Sequence, residues 1–308
     1  MIDVWSSTGV KLPRLLPIDN DVQYPMDDLL YASLRLTSTT TPIAPAPTFD
    51  HQTPLMHQMI KLNRILMQIN DFNQAYATRK LDKNGLNDGV VNLGHKLDQW
   101  IIELPVDLRD TPENFEWCRE HGIGRVFVAL YLGYYHFGQL LYYQYLHVGH
   151  IAPSGTTAAR YSALCKLHSA HLCDMIYRAF SAPGCDVRYT MVGHVLVIAS
   201  SVQIHTLLLS DNEADIAVAK TRLQRNFEIL LDLRSHWPTL DRSMSRLRAF
   251  HETCRKEMAS SFVLDEWMLR FLVEFAEPME EKGVQVAQDP AMLYSLDGLT
   301  AHPIGEHT

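Results

Sequence analysis

Between Arg125 and His150 the chain reads RVFVALYLGYYHFGQLLYYQYLHVGH, with no proline, no acidic residue, and Arg125 as the one strong charge, at its entrance. At 3.6 residues per turn, Val126, Phe127, Leu130, Tyr131, Tyr134, Phe137, Leu140, Leu141 and Tyr145 cover nearly every face. A helix apolar all round is buried all round, in a bilayer or at the centre of a large helical domain. Length alone would allow a membrane span. However, His136, Gln139, Gln144 and His147, with several tyrosine hydroxyls, would each need a partner that lipid does not supply. The run therefore predicts the central helix of a water-soluble body, with no membrane as partner.

Composition narrows the class further. A chain of 308 residues can bury a sizeable core, and 47% apolar with 20% charged residues is ordinary for a folded soluble protein. A net charge of −8, with no dense Lys/Arg run, argues against a nucleic-acid-binding surface. Cys118, Cys165, Cys173, Cys185 and Cys254 are odd in number and lack CxxC spacing, which fits free thiols in a reducing compartment. The first residues contain no signal-type apolar core, so an intracellular protein, nuclear or cytoplasmic, is expected.

Taken in order, residues 1–54 read as an extended lead-in with a short helical piece over Asp27–Leu36 and a Thr/Pro-rich loop, TSTTTPIAPAPTFDHQTP. Residues 55–282 carry the helical domain. Leu55, Met59, Leu62, Ile65, Leu66 and Ile69 predict a helix to about Ala77. The polar stretch LDKNGLND predicts a turn before a second helix, from Val90 to just short of Pro105. Asp110 or Thr111 caps the next, with Pro112 in its first turn, and Gly122 and Gly124 end it. Further helices are predicted over Thr157–Phe180, Met191–Leu209, Ile216–Leu233 and Asp241–Met258. Leu164, Leu167 and Phe180 are placed on the inner face of the first of these, and Ala219, Leu223, Phe227, Leu230 and Leu231 inward on the third. Residues 283–308 form a tail of low periodicity. No alternating β-branched run appears, so the fold class is all-α, a single-domain bundle around a buried central helix.

Several segments together resemble the regulatory middle homology region of fungal zinc-cluster transcription factors. They are MHQMIKLNRILMQINDFNQ, VVNLGHKLDQWIIELPVDLRDTPEN, LYLGYYHFGQLLYYQYL and LLDLRSHWPTLDRSMSRLRAFHETC, preceded by STGVKLPRLLPIDNDVQYPMDDLLY. The second carries Leu93, Leu97, Trp100, Leu104, Pro105 and Asn114, and the fourth Leu230, Trp237, Pro238 and Leu247. The likeness covers roughly residues 8–258. It implies an all-helical regulatory domain that senses a small-molecule effector or contacts other transcription proteins, and that can pair as a homodimer. The family's six-cysteine DNA-binding module has no counterpart in these residues, so direct nucleic-acid binding is not expected. These are mostly packing positions, and they speak to fold more than to activity.

Three constellations carry candidate chemistry. Tyr131, Tyr135, His136 and Tyr142 on the central run, with His168 and His194, supply the hydroxyls and imidazoles that orient a ligand between apolar walls. The same rings equally suit a packed aromatic core. Cys165, His168, His171 and Asp174 share a helical face at metal-ligand spacing, but no second ligand pair accompanies them and a half-buried polar face explains them better, so no metal is expected. Asp27–Asp28, Asp107–Asp110–Glu113 and Asp211–Glu213–Asp215 could hold Mg2+ against a prenyl diphosphate, which makes a terpene cyclase the enzymatic alternative. Two of these clusters lie where helix N-termini are predicted, where carboxylates are favourable without any metal. No cofactor is expected on the regulatory reading. There is no GxSxG nucleophile and no glycine-rich phosphate loop.

Overall fold

The computed structural model describes residues 25–31, 54–81 and 83–283. Every regular element among them is helical, as the periodicity predicts. The lead-in before residue 25, the Thr/Pro-rich loop and the tail after residue 283 lie outside the described residues.

Helix α1 (Leu55–Ala77) follows the predicted stripe, with Leu55, Leu62, Ile65, Leu66 and Ile69 buried. Its Pro54 cap offers no side-chain bond, and the role passes to Asp28, whose Oδ2 accepts from the Met56 N–H at 3.1 Å. Burial outweighs those backbone bonds and raises the Asp28 carboxyl to about 6. Helix α2 (Lys83–Glu103) begins inside the stretch predicted to be a turn. Gly89, just past that stretch, serves close helix approach: a Cβ there would overlap the Phe72 ring. A 3-10 turn (Val106–Leu108) leads to α3 (Pro112–Glu120), where Thr111 Oγ1 accepts from the Asn114 N–H at 3.1 Å. Gly122, at φ 75°, then turns the chain into α4 (Gly124–Tyr142).

The central run is not one rod. Winding tightens to a 3-10 turn over Tyr143–Tyr145 and resumes as α5 (Leu146–Ile151). Burial is continuous across the change of pitch, from Tyr135 to Leu146, as expected of a helix enclosed on all sides. Helix α6 (Thr157–Ser181) then packs along both α4 and α5. Gly138 takes the His168 ring and Gly149 the Ala158 backbone, each where a Cβ would collide.

Helix α7 (Thr190–Leu209) is the second core helix and packs on α8 (Glu213–His236) and α9 (Leu240–Lys256). Among the described residues it is the helix long and apolar enough to cross a membrane, and most of it is buried within the fold. Its Ser200 and Ser201 do more than allow close approach. Asn226 of α8, fully buried, donates to Ser200 Oγ at 3.1 Å and accepts from Tyr177 Oη at 2.6 Å, while Ser201 Oγ shares a bond with Tyr143 Oη at 2.8 Å. The seam of α8 runs through Ala219, Asn226, Leu230 and Leu233, a narrower stripe than predicted; Phe227 and Leu231 flank it and are exposed, as is Leu167 of α6.

The short α10 (Met258–Ser261) and α11 (Glu266–Val273) complete the helices. Residues 274–283 then return as a strap over α9 and α11. Buried Arg246, which burial lowers to about 10, donates to the carbonyls of Glu277 and Arg270; Trp267 Nε1 donates to the Glu280 carbonyl at 2.9 Å. The apolar interior is one contiguous core reaching from α1 to this strap.

Candidate ligand-binding site

Helix α4 presents two unlike faces. Tyr131, Tyr134, Tyr135 and Tyr142 turn toward α2, α3 and α6, and this side is solid. Tyr131 is fully buried and donates to the Leu108 carbonyl at 2.7 Å. Tyr135 donates to Asp110 Oδ2 at 2.6 Å, and Asp110 also accepts from Arg178, whose guanidinium lies 4.4 Å from the Phe115 ring centroid. Tyr142 stacks on Tyr161 at 5.2 Å and on His168 at 6.1 Å, and Tyr134 stacks on Trp100 at 5.3 Å. Burial pushes all four phenols up, with the Asp110 charge adding to it at Tyr131 and Tyr135 and the Asp98 charge at Tyr134 and Tyr142. Burial lowers His168 to about 4, and its neighbour His171 adds to the effect.

The opposite face of α4 is open. Ala129, Leu132, Gly133 and Phe137 border a cavity of about 470 Å³ whose other walls are Met59, Leu62 and Asn63 of α1, residues 189–192 and Val195 at the start of α7, and Phe275 of the strap. That volume lies within the range of about 300–1,000 Å³ typical of small-molecule sites. No lining residue is charged. Its polar groups are few: Asn63, Tyr189 and Thr190. Asn63 is only 5% exposed; its Nδ2 donates to the Met59 carbonyl at 2.7 Å, and its Oδ1 accepts from no described residue. Tyr189 is 39% exposed, yet desolvation raises its phenol to about 12. The two facts agree if its free surface faces an enclosed space crowded by protein rather than open solvent.

None of the six residues singled out from the sequence borders this cavity. Tyr131, Tyr135, Tyr142 and His168 are brought together on the solid face. His136 and His194 meet elsewhere, ring to ring at 6.0 Å, beside a separate small void that shares Phe275 with the large cavity. His194 Nε2 lies 3.1 Å from the Leu272 carbonyl. Burial keeps both imidazoles neutral, lowering His136 to about 3 and holding His194 well below its ordinary value. Sequence reasoning missed Asn63, Gly133, Tyr189 and Phe275, which looked like ordinary residues of helices and their connections. The one available signal was Gly133, a glycine inside a helix with no turn to make.

The metal-spaced residues of α6 turn progressively outward. Cys165 is buried, His168 packs among aromatic rings, His171 is exposed, and Asp174 pairs with Arg222 at 3.2 Å. Among the described residues no group of three or more His, Cys, Asp or Glu side chains is placed to hold a metal ion. The three acidic clusters are far from one another in role. Asp27 and Asp28 cap helical turns, Asp110 ties α4 to α6, and Asp211, Glu213 and Asp215 are exposed around the start of α8, whose first N–H groups are met by Asn212.

No family model matches the chain, and no curated protein or solved structure does either.

Proposed function

We propose that this chain is a transcription-factor-like regulatory domain, without a DNA-binding element of its own, whose activity is set by a small molecule held in the cavity on the open face of α4. The observation that carries the reading is the cavity: an uncharged, drug-sized space bounded by three helices and the strap, so that its occupancy bears on elements from both ends of the described chain. The order of segments resembling fungal zinc-cluster regulatory regions supports the transcriptional setting, with other transcription proteins as partners and the nucleus or cytoplasm as location. A magnesium-dependent cyclase requires carboxylates converging on an apolar cavity, to bridge a metal and a diphosphate. The cavity wall contains none: Asp27 and Asp28 serve caps, Asp110 an ion pair, and Asp211, Glu213 and Asp215 lie exposed at the start of α8.

The test fuses the whole chain to a heterologous DNA-binding module ahead of a reporter. Reporter output is expected to depend on the fused chain and to lose its response to small lipophilic compounds in Gly133→Leu, which fills the cavity. Output indifferent to the chain, or magnesium-dependent turnover of a prenyl diphosphate by the purified protein, overturns the reading.

A further inference from the structure

The chemistry of the cavity wall narrows what it can hold. Apolar residues dominate it, and Met59 and Met191 are unbranched and polarizable, suited to adapting around a varied hydrocarbon shape. A charged ligand would surrender its hydration there without meeting a counter-ion. Its few polar lining residues are Asn63, Tyr189 and Thr190, the last two at the start of α7. Neither the Tyr189 nor the Thr190 hydroxyl is engaged by another described residue. The Asn63 amide is turned into the protein, where its Nδ2 donates to the Met59 carbonyl and its Oδ1 is fully buried. The α7 side of the wall thus offers the hydroxyls that a ligand can reach.

Gly133 supplies the complementary argument. Elsewhere in the helices, Gly89, Gly138, Gly149 and Gly193 are glycine because a neighbour occupies the Cβ position. At Gly133 a Cβ would meet only Leu62 at 3.4 Å and the Phe137 ring at 3.6 Å, which are ordinary contacts. Glycine inside a helix is unfavourable to stability, and here no tight packing requires it. The missing side chain becomes cavity volume.

We infer that the cavity binds a neutral, mainly apolar small molecule whose single polar end, a hydroxyl or an equivalent group, bonds to the Tyr189 and Thr190 hydroxyls at the start of α7, with Gly133 setting the room for its apolar body. This deepens the regulatory reading and rests on it for biological meaning, but binding is measured on the purified full chain, separately from any reporter.

Three intrinsically fluorescent probes of one shape discriminate the chemistry: 2-naphthol, naphthalene and 2-naphthoate. Saturable binding is expected for 2-naphthol, about three- to tenfold tighter than naphthalene, as one added hydrogen-bonding end allows; 2-naphthoate should bind weakest. Tyr189→Phe combined with Thr190→Val should erase the 2-naphthol advantage while leaving naphthalene affinity within about twofold. Gly133→Leu should weaken both neutral probes at least about tenfold, and Gly133→Ala, the milder change, by an intermediate factor, with unchanged circular dichroism in each case. No saturable binding of any probe to the folded protein, 2-naphthoate binding tightest, or indifference to the Gly133 substitutions overturns the proposal. So does a 2-naphthol preference that survives Tyr189→Phe with Thr190→Val. A silent reporter beside intact, variant-sensitive probe binding would sink the transcriptional role alone.

Discussion

The two faces of α4 are built from one stretch of sequence and do opposite things. On one side Tyr131, Tyr135 and Tyr142 spend their rings on packing, and Tyr131 and Tyr135 spend their hydroxyls on hydrogen bonds as well. On the other, Ala129 and Gly133 leave space. The side chains that advertise chemistry in a sequence are here committed to stability, while the site is made by the residues that advertise nothing. Aromatic hydroxyls near a core draw attention because they can orient a ligand; the same property lets them join helices together.

The contrast can be broken in several ways, beginning with the largest expected effect. Tyr131→Ala removes a fully buried ring and its bond to Leu108, and should cost about 3–5 kcal/mol in urea or thermal unfolding. A loss under about 1 kcal/mol would mean that the solid face is loose. Gly138→Ala drives a methyl group into the His168 ring and should destabilise by about 1–3 kcal/mol. Unfolding at or above wild-type stability would deny the tight α4–α6 contact.

Acid should find the solid face next. The His168 pKa is about 4 in the fold against about 6.5 when unfolded, so the unfolded chain binds the extra proton first. Its contribution is complete above about pH 6.5 and is lost as pH falls toward 4, with a slope of up to about 1.4 kcal/mol per pH unit. Asp28, raised to about 6, acts with the opposite sign: its contribution is present below the unfolded value and lost as pH rises through 6. Comparing wild type with His168→Asn between pH 4.5 and 6 isolates the histidine, because Asp28 is common to both. Parallel stability curves would remove His168 from the buried aromatic cluster. The smallest effect belongs to the open face. Gly133→Ala should stabilise by about 0.5–1 kcal/mol, the reverse of Gly138→Ala five residues away, and a loss in its calorimetric midpoint would show that the space at Gly133 is not free.

Much of the scaffold was legible because it depends on local rules. The α1 stripe and the Thr111–Pro112 start of α3 read directly from spacing and capping chemistry. What escaped depends on contacts distant in sequence. The start of α2 reads as a turn, and the need for a glycine at Gly89 shows only once Phe72 is seen against it. Tyr143 ends α4 while bonding Ser201, a residue 58 positions away. Asn226 and Arg246 are polar side chains that residue type alone places outward, yet both are buried, bonded to groups distant in sequence. The cavity was hidden for a similar reason: sequence names the side chains that are present, and a void is defined by those that are not.

On the ligand-binding reading proposed above, position 133 is a dial for selectivity. Because it faces away from the tyrosine-packed seam, a one-residue change there can trim or reshape the chamber in steps while the framework on the other side of the helix keeps its registry. A receptor arranged this way can acquire a new effector through single substitutions, without first having to rebuild the body that holds it.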